Sequence, residues 1–453
     1  MVERAALADI PKMPGSPVLG NLLTYRRDRL SFLLDVYRTC GDVAGFRLGP
    51  WPVILLSSPL YADAILVEAA ETFEKSPLLR KFMRPIIGNG LLTSENAFHR
   101  RQRKLVAPSF QHRHLAVYAE TMSTTAEQSH RSWGDGEIID VHAEMMRIGL
   151  AIVGKTLFGA DVSDTANTVL RAAHTILSCI DKRALSLMPP PISWPTPNNR
   201  RLRQAITQLD QIVYRLIKER RAAGHDRDDI LSILLRAQDT DDGSFMTPGQ
   251  VRDEIMTLFL AGHETTASAL SWTWLLLAQH PDIYGRLQAE VDHILGGRTP
   301  TFDDLPHLPY TLQVFKEAMR LYPPAYMLGR RVVTPTVVRD LVIPAGVSVV
   351  VSPYVLHRRE EYYPHADRFN PDRFLPDEEA RRPKHAYLPF GGGPRICIGR
   401  HFALMEGHLI LATLAQRVTF ELVPDMQVEP EPLLTLRPRH GLKLRVRRRQ
   451  EGH

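Results

Sequence analysis

From Gly249 to about His280 the chain carries one helical pattern, unusually long for a globular helix. Its middle is apolar on most faces: Ile255, Met256, Leu258, Phe259, Leu260 and Ala261, then Ala267, Ala269, Leu270, Trp272 and Trp274. A helix apolar all round belongs at the centre of a protein, so the rest of the chain must wrap it. Thr247-Pro248 opens it with cap chemistry, threonine at the N-cap and proline at the first helical position. Against that background Gly262-His263-Glu264-Thr265-Thr266 is anomalous. Glycine costs about 1 kcal/mol in a helix interior. A glutamate and two threonines there need buried partners. A threonine bonding the carbonyl one turn back opens the helix locally. His263 reads as a kink or packing residue rather than a ligand.

The remaining organisation is mainly α with minor β sheets. Helix-spaced apolar residues run over Val117 to Arg131, Val141 to Leu157, Arg200 to Arg221 and Pro281 to Leu295. Asp42 to Leu48 and Pro52 to Ser57 read as a strand hairpin about Gly49-Pro50, and a strand pattern returns over Leu341 to Val351. Ile10 to Leu23 is punctuated by proline and glycine and carries no chemistry. No Gly/Ser linker, charge block, low-complexity tract or repeat divides the 453 residues. The expected organisation is one domain over residues 1–453, β-rich to about residue 70, large enough to bury most of its apolar surface.

Three cysteines, Cys40, Cys179 and Cys397, are too few for a disulfide framework and point to a reducing, cytoplasmic setting. Residues Met1 to Gly20 hold no long apolar run, so neither a signal peptide nor a membrane anchor is expected. The formal charge of +6 is modest. Arg100, Arg101, Arg103, Lys104 and Arg445-Val446-Arg447-Arg448-Arg449 are local basic clusters. They read either as solvated surface or as a face that steers an acidic partner protein. Nothing resembles a nucleic-acid module.

One of the three cysteines stands apart. Cys397 lies in Phe390-Gly391-Gly392-Gly393-Pro394-Arg395-Ile396-Cys397-Ile398-Gly399. Glycines let backbone amides crowd round one sulfur. Arg395 adds positive charge, and the helix start at Arg400 aims its dipole the same way; all three favour a thiolate. A held thiolate beside a flat, small-residue surface suits a haem iron, where thiolate ligation favours O–O cleavage.

This loop resembles the haem-binding loop of the cytochrome P-450 superfamily, Phe-x-x-Gly-x-Arg-x-Cys-x-Gly, through Phe390, Gly393, Arg395, Cys397 and Gly399, with Ala403 in the small position that follows. Ala261, Gly262, Glu264 and Thr265 resemble the family's Ala-Gly-x-(Asp/Glu)-Thr motif. Glu317 and Arg320 fit its Glu-x-x-Arg helix, and Pro371-Asp372-Arg373-Phe374 fits its Pro-(Glu/Asp)-Arg-Phe element. The stretches follow the family's order and cover most of the chain. The resemblance implies the P-450 fold, with haem b (iron protoporphyrin IX) between the long central helix and the helix after the cysteine loop. It implies Cys397 as iron ligand, Thr265 to hold bound oxygen and Glu264 to help relay protons to it. Glu317, Arg320 and Arg373 would form a buried structural triad. His99 and Arg103, one turn apart, would hold haem propionates with Arg330 and Arg395, for which forked guanidinium donors are well suited. Arg100, Arg101 and Lys104 read as solvated or partner-facing instead.

The substrate side is expected from Leu258, Ala261, Ala325, Tyr326 and Met327, an apolar set that points to a lipophilic small molecule. Access is expected at the loop around Ser76 to Leu92 and at Met188 to Pro197, the latter as a lid or as a rigid connector. The implied activity is that of a soluble, bacterial-type haem-thiolate monooxygenase: two electrons, two protons and O2 place one oxygen atom in the substrate by hydroxylation or epoxidation. No flavin or iron–sulfur motif is present, so electrons are expected from a separate ferredoxin and ferredoxin reductase. Two rival readings use the same fold. A peroxide-using peroxygenase or non-redox isomerase tends to lose the acid–threonine pair, which Glu264-Thr265 speaks against. A non-catalytic haem sensor or carrier needs neither proton relay nor electron-donor face.

Overall fold

The structure is a computed structural model that describes residues 9–159, 163–184, 186, 189–223 and 229–449. Met188, at the edge of the expected lid, lies outside the described residues. The described residues form two compact units interleaved along the chain.

One unit holds the residues up to Lys81 together with Lys316–Cys397. Its five-stranded sheet runs in the order Val43–Leu48, Trp51–Leu56, Ser348–Val351, Leu328–Val332, Phe73–Lys75. The first two strands are the expected hairpin, with Phe46 opposite Val53. Trp51–Leu56 then pairs in parallel with Ser348–Val351. Ile54, Leu56, Val332, Val349, Val351 and Leu388 share the apolar core. The strand pattern over Leu341 to Val351 is two strands, Leu341–Ile343 and Ser348–Val351. Pro344 denies the ladder a donor, and Gly346 takes φ +83° in the turn between them. On Leu328–Val332 neighbouring side chains face opposite sides, which separates half-buried Arg330 from exposed Arg331.

The other unit holds Phe82–Phe315 and the residues from Ile398 onward, and it is mostly helical. Its axis is the helix Pro248–Gln279, hereafter the central helix. A capping box starts it: the Thr247 hydroxyl accepts from the Gln250 amide while the Gln250 side chain accepts from the Thr247 N–H. Trp272 and Trp274 are fully buried on it. It packs along Val141–Phe158 and against Arg400–Arg417. Gly149 permits the first approach, because a Cβ there would come within 3.2 Å of the His263 carbonyl. The helix expected over Val117 to Arg131 begins earlier, as His112–Ser129. Its first turn, His112-Arg113-His114, is polar and carried no periodic signal. No described helix is long and apolar enough to cross a membrane.

The basic C-terminal run is a strand, Lys443–Arg448, between Ile138–Asp140 and Val418–Leu422. Arg445 donates to the Gly136 carbonyl, and Arg448 to those of Trp133 and Arg131. Arg447 pairs with Glu421, and Arg449 with Asp292 at 2.6 Å. Arg447 and Arg448 are exposed and Arg445 and Arg449 half-buried, so the cluster lies at the surface, as the solvated reading expects, while its guanidinium groups also tie the sheet to the segments beside it.

Candidate active site

Between Glu254 and Leu277 every residue of the central helix is buried except Leu258, Ala261, Gly262 and Thr265. These four fall at i, i+3, i+4 and i+7, one face of the helix. The open stripe is therefore narrow and made chiefly of small side chains, with Ala261 exposed. The Thr265 hydroxyl donates to the Ala261 carbonyl at 2.8 Å, the bond one turn back that its type and position predict. Glu264 is turned off the stripe and is 3% exposed; its carboxylate accepts from the Thr435 hydroxyl at 2.8 Å. His263 is buried behind the stripe, with Nδ1 donating to the Phe259 carbonyl. Burial lowers its pKa and keeps the ring neutral. It packs and does not face the stripe, as its sequence reading holds.

The cysteine loop is shaped by its glycines. The Cys397 N–H donates to the Phe390 carbonyl at 3.0 Å, closing the loop, and the Ile396 N–H donates to Gly393. Gly393 has φ +65° inside the tight turn Gly393–Arg395, and a Cβ there would stand 1.8 Å from the Leu66 carbonyl oxygen. Only glycine fits that position. Phe390 and Arg395 are half-buried and the Cys397 residue is exposed. Gly399 then serves as N-cap of the helix Arg400–Arg417, its carbonyl accepting from the Ala403 N–H at 2.8 Å.

The structure brings Glu317, Arg320 and Arg373 together. Arg320 grips Glu317 with both edges of its fork, at 2.6 and 2.8 Å, and both side chains are fully buried. Arg373 approaches the same carboxylate at 3.4 Å, and the Asn370 N–H donates to it at 2.9 Å. Arg320 also donates to the His357 and Arg368 carbonyls. His357 is a residue that sequence reasoning missed. Its Nδ1–H donates to the Arg320 carbonyl, and its Nε2 accepts from the Leu388 N–H at 2.8 Å. Acceptance at Nε2 requires the neutral ring, and burial holds its pKa well below the usual value. His357 thus links the triad to the strand of chain that leads into Phe390.

On the helix Asn96–Val106, His99 is buried and Arg103 half-buried, one turn apart on one face. Arg101 is not solvated: it pairs with Asp239 at 2.6 Å and reaches Ser244 at 2.7 Å. Lys104 pairs with Asp241 at 2.8 Å and stays exposed at the surface. Gln102 donates to Glu254 Oε1 at 2.9 Å, and the Leu91 N–H donates to Oε2 at 3.0 Å. Burial still pushes the Glu254 carboxyl up to about 7. The end of the expected access loop is therefore pinned to the central helix, with Asn89 held likewise by Asp253 at 2.7 Å. No local pattern marked Glu254 or Gln102, because their partners lie far off in sequence.

The expected substrate residues divide. Leu258 and Ala261 lie on the open stripe. Ala325 is half-buried and Met327 exposed, its sulfur accepting from the Tyr25 hydroxyl at 3.6 Å. Tyr326 is 1% exposed, and its hydroxyl accepts from buried Arg29 at 3.2 Å. Arg330 donates to the Gly329 carbonyl. In the segment before Pro197, Asn199 donates to the Pro191 and Trp194 carbonyls at 2.7 and 3.0 Å, and Arg183 to that of Pro190. Those braces make a connector, with Trp194 exposed at its tip.

The residues present fit a haem. Each part is of a kind that suits the group: an exposed thiol on a closed glycine loop could donate to iron, a stripe of small side chains would leave room for a flat ring, and His99, Arg103, Arg330 and Arg395 are polar or cationic groups of the type that would bind its carboxylates. The family model for cytochrome P450 matches residues 11–446. The chain belongs to the cytochrome P450 family. Cyclooctatin synthase of Streptomyces melanosporofaciens is 39% identical over 93% of this chain and 92% of its own length. Cyclooctat-9-en-7-ol 5-monooxygenase of the same organism is 37% identical, covering 91% and 89%. Pentalenene oxygenase of Streptomyces avermitilis is 34% identical over 97% of each chain. This P450 is accordingly a haem-iron oxidoreductase of the monooxygenase type, on the mainly α P450 fold.

Proposed function

We propose that this P450 places one oxygen atom of O2 into a cyclic, lipophilic small molecule of the terpene class, by hydroxylation or epoxidation. The observation that carries the reading is the open stripe of the central helix: Leu258, Ala261, Gly262 and Thr265 uncovered, with an acid buried beside them. Such a surface offers a substrate apolar contact and a hydroxyl. The names of the relatives, acting on cyclooctat-9-en-7-ol and pentalenene, support the same class.

Haem b would be held by Cys397 through its thiolate, with His99, Arg103, Arg330 and Arg395 as the groups that would bind its propionates. Bound in that way it supplies dioxygen activation, to which the thiolate contributes electron density. The protein's own residues do the rest. Thr265 presents its hydroxyl on the open face, where it holds a proton at Oγ1. Glu264 carries protons toward it from the buried side of the helix, a positioned acid–base group of the kind that contributes roughly 10²–10⁴-fold. The apolar stripe excludes water from the reacting face. Electrons come from a separate ferredoxin and its reductase.

The test begins with the absorption spectrum of the reduced, carbon-monoxide-bound protein. A red-shifted Soret band typical of thiolate-bound haem is expected, and its absence in Cys397→Ser. Titration with pentalenene and with cyclooctat-9-en-7-ol should then convert the haem to high spin. A histidine-type band in fresh protein overturns the thiolate assignment. A thiolate band with no spin shift for cyclic terpenes, but a shift for fatty acids, overturns the substrate class.

A further inference from the structure

Thr435 stands at the closed tip of a hairpin formed by Pro430–Pro432 and Leu436–Pro438. The Leu433 N–H donates to both the Glu431 and Thr435 carbonyls at 3.1 Å, and Glu431 pairs with Arg437 across the strands. The tip is therefore rigid. Two bonds fix it to the central helix. Trp272 Nε1 donates to the Leu436 carbonyl at 3.0 Å, and Thr435 donates to Glu264 at 2.8 Å. Glu264 and Trp272 are about two turns apart, so consecutive hairpin residues anchor at two levels of one helix. Thr435 and Glu264 are both buried, where a hydrogen bond to a carboxylate is strong and a missing one is expensive.

We propose that Thr435 is a positioning residue for the proton relay: its hydroxyl holds the Glu264 carboxylate in one orientation beside Thr265, and through Leu436 the hairpin sets where that orientation lies. The proposal rests on the relay role of Glu264 given above. A threonine hydroxyl donates one hydrogen and keeps two lone pairs, so it can hold the carboxylate and still accept from a neighbouring donor. Valine has the same shape without the hydroxyl. Thr435→Val therefore separates the hydrogen bond from packing, and Thr435→Ser restores the bond with less packing.

The experiment uses the haem-loaded protein with ferredoxin, reductase and pentalenene. Its first readout is the infrared carboxyl signal that the Glu264→Gln variant removes. That signal should shift in Thr435→Val and return in Thr435→Ser. Its second is hydrogen peroxide released per NADPH consumed, which should rise in Thr435→Val, recover in Thr435→Ser, and show no further rise when Thr435→Val is added to Glu264→Gln. The carbon-monoxide spectrum should be the same in all variants. An unshifted infrared signal and unchanged peroxide release in Thr435→Val, with Glu264→Gln uncoupled, overturns the role of Thr435 alone. Glu264→Gln with parental peroxide release overturns the relay itself, whatever the infrared signal shows.

Discussion

Single side chains here carry very different burdens. Glu317 is gripped by Arg320 and approached by Arg373, and it is fully buried. Removing it would leave buried guanidinium groups without their counter-charge, a loss on the order of 3–5 kcal/mol. Glu317→Ala should therefore accumulate as haem-free or aggregated protein, read as the ratio of Soret to protein absorbance. Thr265 is the opposite case. Its hydroxyl bonds only a helical carbonyl that helix geometry already orders, on an uncovered face. Thr265→Ala should keep its melting temperature within a few degrees of the parent and retain a full thiolate spectrum. What should change is coupling: product per NADPH falls by about tenfold or more, in the range of a lost acid–base group.

Among the elements, those with internal signals were legible in the sequence. The central helix announced itself by its apolar middle and by Thr247-Pro248, and the cysteine loop by its glycines. The Glu317–Arg320 pair was legible because its members are one turn apart. What was hidden depends on pairing across distance. Thr435 lies 171 residues from Glu264, and nothing in Leu434-Thr435-Leu436 hints at a carboxylate. His357 looks like any histidine until Arg320 and Leu388 are seen on its two nitrogens. The C-terminal arginines show the same limit: the run reads as surface charge, and its partners Glu421 and Asp292 come into view only once they are placed. Their strand yields a prediction. Arg447→Ala and Arg449→Ala remove partly exposed pairs, each worth under about 1 kcal/mol. Ferredoxin titrations should give the same apparent affinity as the parent, with melting points lowered only slightly.

For the whole molecule, buried titratable groups set the pH range of stability. Burial pushes His142 and His408 down to about 4, and His357 is also lowered. In the unfolded chain these rings take up protons near pH 6.5, so unfolding binds protons and stability is lost as pH falls from about 6.5 toward 4. Burial pushes Glu254 up to about 7 and Glu406 up to about 8. Neither Glu406 oxygen has a well-formed hydrogen bond, and the Thr266 hydroxyl alongside offsets its burial only in part. For these acids the folded state holds the extra proton, so stability is lost as pH rises from about 4.5 to 7–8. Above pH 6.5 only the acids act. The melting temperature should therefore peak near pH 6 and decline toward pH 8, and Glu406→Gln should flatten that alkaline decline while leaving the acid limb in place. The interleaving of the two units matters on another clock, that of synthesis. Trp51–Leu56 leaves the ribosome long before its parallel partner Ser348–Val351 exists. At about 5–20 residues per second the strand waits on the order of 15–60 s. During that time it is an unpaired apolar edge, open to pairing with other nascent chains. The yield of folded protein in a host cell should therefore depend on slow growth temperature and on chaperones that shield an early strand, more than on the strength of any contact in the finished molecule.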